Sequence, residues 1–167
     1  GCTRIISIHM TSEGSGAFQS ALTACRMMES EHPDVKIEVV DTRNVAMAHG
    51  WMVIEAARAA LKGSALPKVR EIVERMIPIT RMIQTADTLK YLYMGGRIGR
   101  AAHLIGSLLR IKPLISMDDG TIVSIGQTHS RSQAYHKMVD IIVETVGEGA
   151  KIKIAYRHGA ARDEAES

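Results

Sequence analysis

The sequence predicts an α/β chain in two lobes: a partial parallel α/β lobe, then an α+β lobe with a mainly antiparallel sheet. Three observations carry this. Strand and helix patterns alternate over residues 4–62, as in a parallel unit with crossover helices. The break at Gly63-Ser64, with Pro67 soon after, separates that unit from the rest of the chain, so the lobes are expected at residues 1–65 and 66–167. Beyond the break, Asp119-Gly120 lies between two apolar runs of strand length, a hairpin signal. The 167 residues suffice for a core, and 46% hydrophobic with 23% charged residues excludes a disordered or collagen-like chain.

Residues 4–9 (RIISIH) form a nearly continuous apolar run, expected as a strand buried on both faces. A small polar loop comes next, then Ala17, Ala21, Ala24, Cys25 and Met28 at helical spacing. This predicts a helix from Ser15 to about Glu31, broken by His32-Pro33. Val35, Ile37 and Val39 alternate into a second strand ending at Asp41, and residues 45–62 read as a second helix. Val69, Ile72, Val73 and Met76 make a helical stripe before Pro78. Residues 79–84 are expected as a strand; 86–93 and 101–109 are expected as short helices. Residues 111–117 and 121–127 are the hairpin arms. Residues 130–146 predict an amphipathic helix with Ala134, Met138, Ile141, Ile142 and Thr145 inward. Residues 151–156 predict a last strand, and 161–167 the first turn of another helix.

Composition narrows function. The net charge of +3 is mild, and 4% aromatic residues leaves few platforms for base stacking, so no nucleic-acid partner is expected despite a pI near 9.0. No apolar run approaches the ~18–20 residues of a membrane-spanning helix, so no stable membrane insertion is expected. Cys2 and Cys25 form no CxxC, and no signal-peptide pattern is present; both fit a reduced, cytoplasmic protein. The chain opens Gly1-Cys2-Thr3 without a Met, which is read as a cut or processed N-terminus.

Two stretches carry candidate chemistry. In Thr11 to Ala21 (TSEGSGAFQSA) the hydroxyls of Thr11, Ser12 and Ser15 meet the expected helix N-terminus at Ser15 and Gly16. Unpaired N–H groups and the helix dipole favour an anion there. The same residues equally suit an ordinary serine cap. The pattern is neither a Walker loop nor a dinucleotide fingerprint, and Ser15 lacks a nucleophile-elbow context. In DTLKYLYMGGRIGRAAHLIGSLLRIK, from Asp87 to Lys112, the cations Lys90, Arg97, Arg100, Arg110 and Lys112 stand without an acid after Asp87. The glycine pair before Arg97 lets backbone and guanidinium approach one ligand; a solvated basic face is the alternative. His129 and Arg131 open the long helix and suit either a docking patch or a solvated helix start. The seven histidines show no HxH or HxxxH pair beside carboxylates, so no metal is expected.

These motifs resemble the DegV family of bacterial fatty-acid-binding proteins. The run from Ile5 to Ala21 is similar to the family's strand and S-S-x-x-S-G-T-x-Q-S-A loop-helix. Asp41-Thr42 to Gly50 resembles its D-S segment, and the stretch from Asp87 resembles D-x-L-x-Y-L-x-x-G-G-R-I, continuing to G-x-L-L-x-I-K-P and the D-G hairpin. Gly14 and Ala17 depart from the family's Leu and Thr. The family's basic run before the long helix is thinned here to His129, Arg131 and Lys137. Its T-S-Q-P-S and H-x-G-P-G loops have no counterpart, so the chain is read as an internal fragment whose first sheet should carry an exposed edge.

The resemblance implies a non-enzymatic carrier. A long-chain, palmitate-like fatty acid would lie between the lobes, its carboxylate held by Ser15, Gly16, Thr11, Ser12 and Arg97, with Met47 and Met52 as candidate tail-lining residues. The partner implied is the catalytic subunit of a fatty acid kinase, docking at Arg131 and Arg100; no cofactor is implied. The alternative drawn from residue chemistry is a phosphoryl-transfer or hydrolytic enzyme using the loop at residues 11–16 for phosphate. It lacks a visible metal-binding carboxylate cluster and general base.

Overall fold

A computed structural model describes residues 2–107 and 111–163. Strand β1 (Arg4–His9) pairs in parallel with β2 (Lys36–Asp41), from Arg4 opposite Lys36 to His9 opposite Asp41. Between them runs α1 (Ala17–Glu31), and α2 (Ala46–Leu61) follows β2. The expected burial of β1 on both faces is not observed: Ile5 is 39% exposed, and the parallel sheet has two strands, each with an outer edge unpaired among the described residues.

Helix α1 starts at Ala17 rather than Ser15, with Gly16 in the capping position, because Ser15 folds back to accept the Ala17 N–H on Oγ (3.2 Å). Its half-buried face is Phe18, Ala21, Leu22, Cys25 and Met28; Ala17 and Ala24, expected inward, are exposed. Helix α2 buries Ala48, Met52, Ala56 and Ala59, one face at i, i+3 and i+4 spacing, whose three alanines let neighbouring elements approach around Met52.

Helix α3 (Leu66–Met76) turns Val69 and Val73 into the core formed by Val40, Met52, Ala56 and Ala59. It therefore belongs by packing to the first lobe, and the passage between lobes falls after it rather than at residue 65. Pro78 sits in a 3₁₀ turn, Ile77–Ile79, which shortens the strand expected at 79–84 to β3 (Ile83–Thr85).

The second sheet has order β3-β4-β5, all antiparallel, with β4 (Lys112–Asp118) and β5 (Thr121–Thr128) joined as the predicted hairpin. Its core gathers Leu89, Ile98, Ala101, Leu104, Ile111 and Ile115. The helix expected at 86–93 is the short α4 (Lys90–Met94), and the one expected at 101–109 is a 3₁₀ stretch, Gly99–Ser107; Leu109 and Arg110 lie outside the described residues. Helix α5 (Arg131–Val146) is capped by Ser130, whose Oγ accepts the Gln133 N–H (3.2 Å). Ala134 is buried and Met138, Ile141 and Ile142 are half-buried, but Thr145 faces solvent. The strand expected at 151–156 is absent: Ile152, Ile154 and Tyr156 are exposed in irregular backbone with no strand beside them among the described residues. Of residues 161–167, Arg162 and Asp163 are helical, and 164–167 lie outside the described residues.

Candidate functional site

The two lobes meet around the β4–β5 turn. Asp119 (φ 47°) and Gly120 (φ 81°) both have positive φ, the mark of a two-residue type I′ hairpin. The buried Thr11 donates its hydroxyl to Gly120 O (2.8 Å), across 109 positions of sequence. A side chain at Gly120 would bring its Cβ to 2.6 Å from Thr11 Oγ1, so glycine serves both the turn and the contact. Arg43, on the loop after β2, pairs with Asp119 Oδ1 (2.5 Å), and Ala48, Met82 and Met117 form a small apolar core across the joint.

The loops at the C-terminal ends of β1 and β2 are braced from below. Asp41 accepts Arg43 N–H (2.9 Å) and Ser12 N–H (3.3 Å), an Asx turn that also ties down the β1–α1 loop. Asn44 O accepts Thr11 N–H (3.0 Å). Thr42, fully buried, donates to His9 O (2.8 Å) and lies 3.2 Å from His49 Nδ1. Burial first, and then the neighbouring His9, pushes the His49 imidazole below its ordinary value. Asn44 Oδ1 is buried without a hydrogen-bond partner. No sequence motif marks this network: His9 and His49 are 40 positions apart and meet only because β1 ends beside the start of α2.

Above this brace, the predicted anion-facing residues come together. Ser12, Ser15 and Gly16 lie on the β1–α1 loop at the N-terminus of α1. The first α-helical bond there is Ser20 N–H to Gly16 O (3.0 Å), which leaves the Phe18 and Gln19 N–H groups without intrahelical acceptors. Ser15 Oγ uses a lone pair on Ala17 N–H, and its own proton stays available for a ligand. Arg97 reaches the same loop from the second lobe: its Nε donates to Gly14 O (3.2 Å), and one terminal nitrogen donates to Gly95 O (2.5 Å). Gly99 (φ 57°), two residues on, packs against β5, where a Cβ would stand 2.6 Å from Ile122 O. Thr11 differs from the expectation. Its proton is committed to Gly120 O while its oxygen also accepts Glu13 N–H (3.3 Å), so its hydroxyl holds the loop instead of facing a ligand.

A family model for DegV, described as an uncharacterised protein family, matches residues 1–167. The chain belongs to the DegV family. A DegV domain-containing protein of Streptomyces coelicolor is 36% identical over 165 residues, covering 99% of this chain and 57% of the relative. One from Caldanaerobacter subterraneus is 32% identical over 154 residues, covering 92% and 54%. Among solved structures, DegV of Bacillus subtilis superposes with a TM-score of 0.77 at 29% identity, covering 98% of this chain and 57% of that one. A DegV family protein of Streptococcus agalactiae superposes at 0.85 with 25% identity, covering 99% and 57%. The chain thus spans little more than half the length of these DegV relatives.

Within this DegV chain, two expected roles are revised by packing. Met52 is completely buried in the first lobe's core beside Val69 and Val73, so it fills that core and lines no tunnel; Met47 is half-buried on the first turn of α2. Arg131, expected to dock the kinase partner together with Arg100, clamps Asp87 through Nε (3.1 Å) and a terminal nitrogen. Lys112 Nζ joins the same carboxylate at 2.7 Å. Arg131, first, and Lys112 hold the Asp87 carboxyl well below the usual range. Lys112 opens β4 and Asp118 closes it, so the Arg131 clamp lies about 20 Å from the turn, at ~3.3 Å per strand residue. Arg100 is at the turn itself, on Asp118 Oδ2 (2.5 Å). Among the described residues no three His, Cys, Asp or Glu side chains form a metal-holding group, and no helix is long and apolar enough to cross a membrane.

Proposed function

We propose that this chain supplies the carboxylate-holding half of a long-chain fatty acid site, and that the whole protein carries the acid and presents its carboxylate to a kinase partner. The carrying observation is that Ser15, the first turn of α1 and Arg97 meet on one loop. Similar proteins of this family are named as fatty acid binders: DegV of Bacillus subtilis, the Streptococcus agalactiae protein, and a Thermus thermophilus protein (TM-score 0.79, 26% identity, covering 88% of this chain and 51% of that one). An ionised carboxylate accepts hydrogen bonds and donates none. Free helix N–H groups, the Ser12 and Ser15 hydroxyls and a guanidinium are the groups that satisfy it. Gly16 keeps the approach open, since nothing stands within 4 Å of where its Cβ would be. Affinity comes mainly from the tail: at ~0.8 kcal/mol per buried CH₂, a palmitate-like chain contributes roughly 10 kcal/mol before ordering costs.

The carrier performs no chemistry of its own and uses no cofactor. It works in the cytoplasm beside the catalytic subunit of a fatty acid kinase. Arg100 and Arg97, on the rim of the turn, are the docking charges, acting mostly on association rate. Arg131 is assigned to the Asp87 clamp instead.

The test is a palmitate titration of the intact protein. Ser15→Ala weakens binding by about 1–3 kcal/mol, through loss of a charge-assisted hydrogen bond. Unchanged affinity removes Ser15 from the site, and absence of co-purifying lipid by mass spectrometry removes the carrier reading. Arg100→Ala keeps palmitate affinity and slows kinase-dependent acyl phosphorylation; equal phosphorylation rates at limiting carrier refute the docking assignment.

A further inference from the structure

We propose that Thr11 is a positioning residue for the carboxylate site, its hydroxyl fastening the β1–α1 loop to the hairpin of the second lobe so that Ser15 and the α1 N-terminus are presented at a fixed height. The inference rests on the fatty-acid reading above and adds to it a residue that does not touch the ligand. Thr11 is 2% exposed and every strong hydrogen-bonding group it has is committed. Its N–H goes to Asn44 O (3.0 Å), its Oγ1 proton to Gly120 O (2.8 Å), and its Oγ1 lone pair to Glu13 N–H (3.3 Å). Its main-chain carbonyl accepts Gly14 N–H (3.2 Å). Four bonds from one residue thus fix the loop to β2's exit, to the second lobe and to itself, four positions before Ser15.

Two further struts act on the same loop system from the second lobe. Arg97 Nε holds Gly14 O, and Asp119 holds Arg43, whose own N–H shares the Asp41 carboxylate with Ser12 N–H. Position matters more here than in an ordinary loop. A helix-terminus carboxylate site works only with donors in the 2.7–3.2 Å range, and effects at helix ends fall off within one turn. If the loop slackens, Ser15 and the Phe18 and Gln19 amides no longer converge on one oxygen pair, while the apolar tail site is left as it was. The proposal therefore predicts a loss of headgroup recognition separable from tail binding.

The experiment compares palmitic acid with 1-hexadecanol, which has the same tail length and no carboxylate, on the intact protein and three variants, with melting temperatures recorded for each. Ser15→Ala is the control for the site itself and lowers the preference for acid over alcohol. Thr11→Ala lowers the same preference about ten-fold, the size expected for one misplaced charge-assisted hydrogen bond, and leaves hexadecanol affinity within two-fold or so. Thr11→Ser, which keeps the bond to Gly120 O, restores the preference. Should Thr11→Ala melt too low to titrate, Asp119→Asn takes its place. Asn tolerates the left-handed conformation of position 119, the change removes the charge that holds Arg43, and it lowers the preference by a smaller factor. Loss of acid and alcohol affinity in equal measure, or an unchanged preference in the Thr11 variants while Ser15→Ala lowers it, overturns the positioning role alone. No preference in the unaltered protein overturns the carboxylate reading and the proposal with it.

Discussion

Replacing Gly120 by Ala tests whether the joint between the lobes is built as described. Position 120 has φ 81°, where an L-residue with a Cβ costs about 1–2 kcal/mol. The added Cβ would also sit 2.6 Å from Thr11 Oγ1 and 3.2 Å from Glu13 Cγ. Thr11 is buried at the end of β1 and cannot swing aside without releasing Gly120 O, itself buried, which adds about 1–3 kcal/mol for an unsatisfied carbonyl. Together the change should cost roughly 2–5 kcal/mol, or about 4–20 °C in Tm at ~2–4 °C per kcal/mol. Gly96→Ala is the matched control. Its φ is 68°, but nothing lies within 4 Å of the would-be Cβ, so it should cost only the strain, about 1–2 kcal/mol. Urea unfolding of both variants in the intact protein, with unchanged m-values, measures the difference. Losses equal to within ~0.5 kcal/mol would refute the claim that Gly120 is constrained by Thr11 rather than by its turn alone.

Other consequences are equally direct. Met52→Ala should destabilise by about 2–5 kcal/mol, as for a completely buried side chain, and a small loss by urea titration would mean that the first lobe's core is not packed around it. Asp87→Asn should cost no more than about 1 kcal/mol, since the clamp with Arg131 and Lys112 is half exposed. The Asp87 carboxyl is depressed in the fold, so its contribution is present above the ordinary value of 3.8 and lost as pH falls through the folded value. The variant should therefore lose less stability than the parent during acid titration of Tm. His49 is depressed as well, which for an imidazole means the unfolded chain takes up the proton first. Stability should fall as pH drops below the ordinary value of 6.5, and His49→Asn should flatten that part of the Tm profile; parallel profiles would show that His49 has no part in it.

Elements specified by local chemistry are legible in the sequence. The Asp119-Gly120 turn, β2, α2 and α5 stand within a residue or two of where the sequence predicts them, because turn residues, alternation and helical spacing act over a few positions. The elements that differ depend on contacts distant in sequence. Alanine spacing alone points Ala17 and Ala24 of α1 inward, whereas Phe18 and Leu22, set by the sheet beneath, take the half-buried places. Helix α3 carries an amphipathic stripe that fits either lobe, and only the Val40 and Met52 surface assigns it to the first. Residues 151–156 alternate like a strand, but a strand needs a partner edge, and Lys153 instead reaches Glu55 Oε1 (2.6 Å) and the Trp51 ring on α2. In the site, the hydroxyls and Arg97 are visible as residue types. That Thr11 faces the hairpin while Ser15 stays open is not, since both are small hydroxyl residues on one loop and differ only in what folds against them.

The position of the proposed site at a joint ties its ligand affinity to lobe packing. The apolar part of that joint is small, Ala48, Met82 and Met117 with Val45 and Ile122 beside them, and the contacts described around it are polar struts, of which Thr11–Gly120 is buried and the Arg43 and Arg97 contacts are exposed. Exposed ion pairs such as Arg43–Asp119 contribute about 0–1 kcal/mol each, so these struts add little to what the small apolar core and the Thr11–Gly120 bond hold in place. On the proposed function, a ligand held by Ser15 on one lobe and Arg97 on the other adds a contact across it. By linkage, whatever binds the joined arrangement alone stabilises it, by about 2.7 kcal/mol at a hundred-fold excess over Kd. The struts and the ligand then reinforce each other: weakening Thr11 or Asp119 lowers carboxylate affinity, and saturating fatty acid should recover more of the Tm lost in Gly120→Ala than of that lost in Met52→Ala, whose defect lies inside one lobe. Equal recovery in the two variants would show that the ligand stabilises the fold as a whole and that the joint has no special coupling to it.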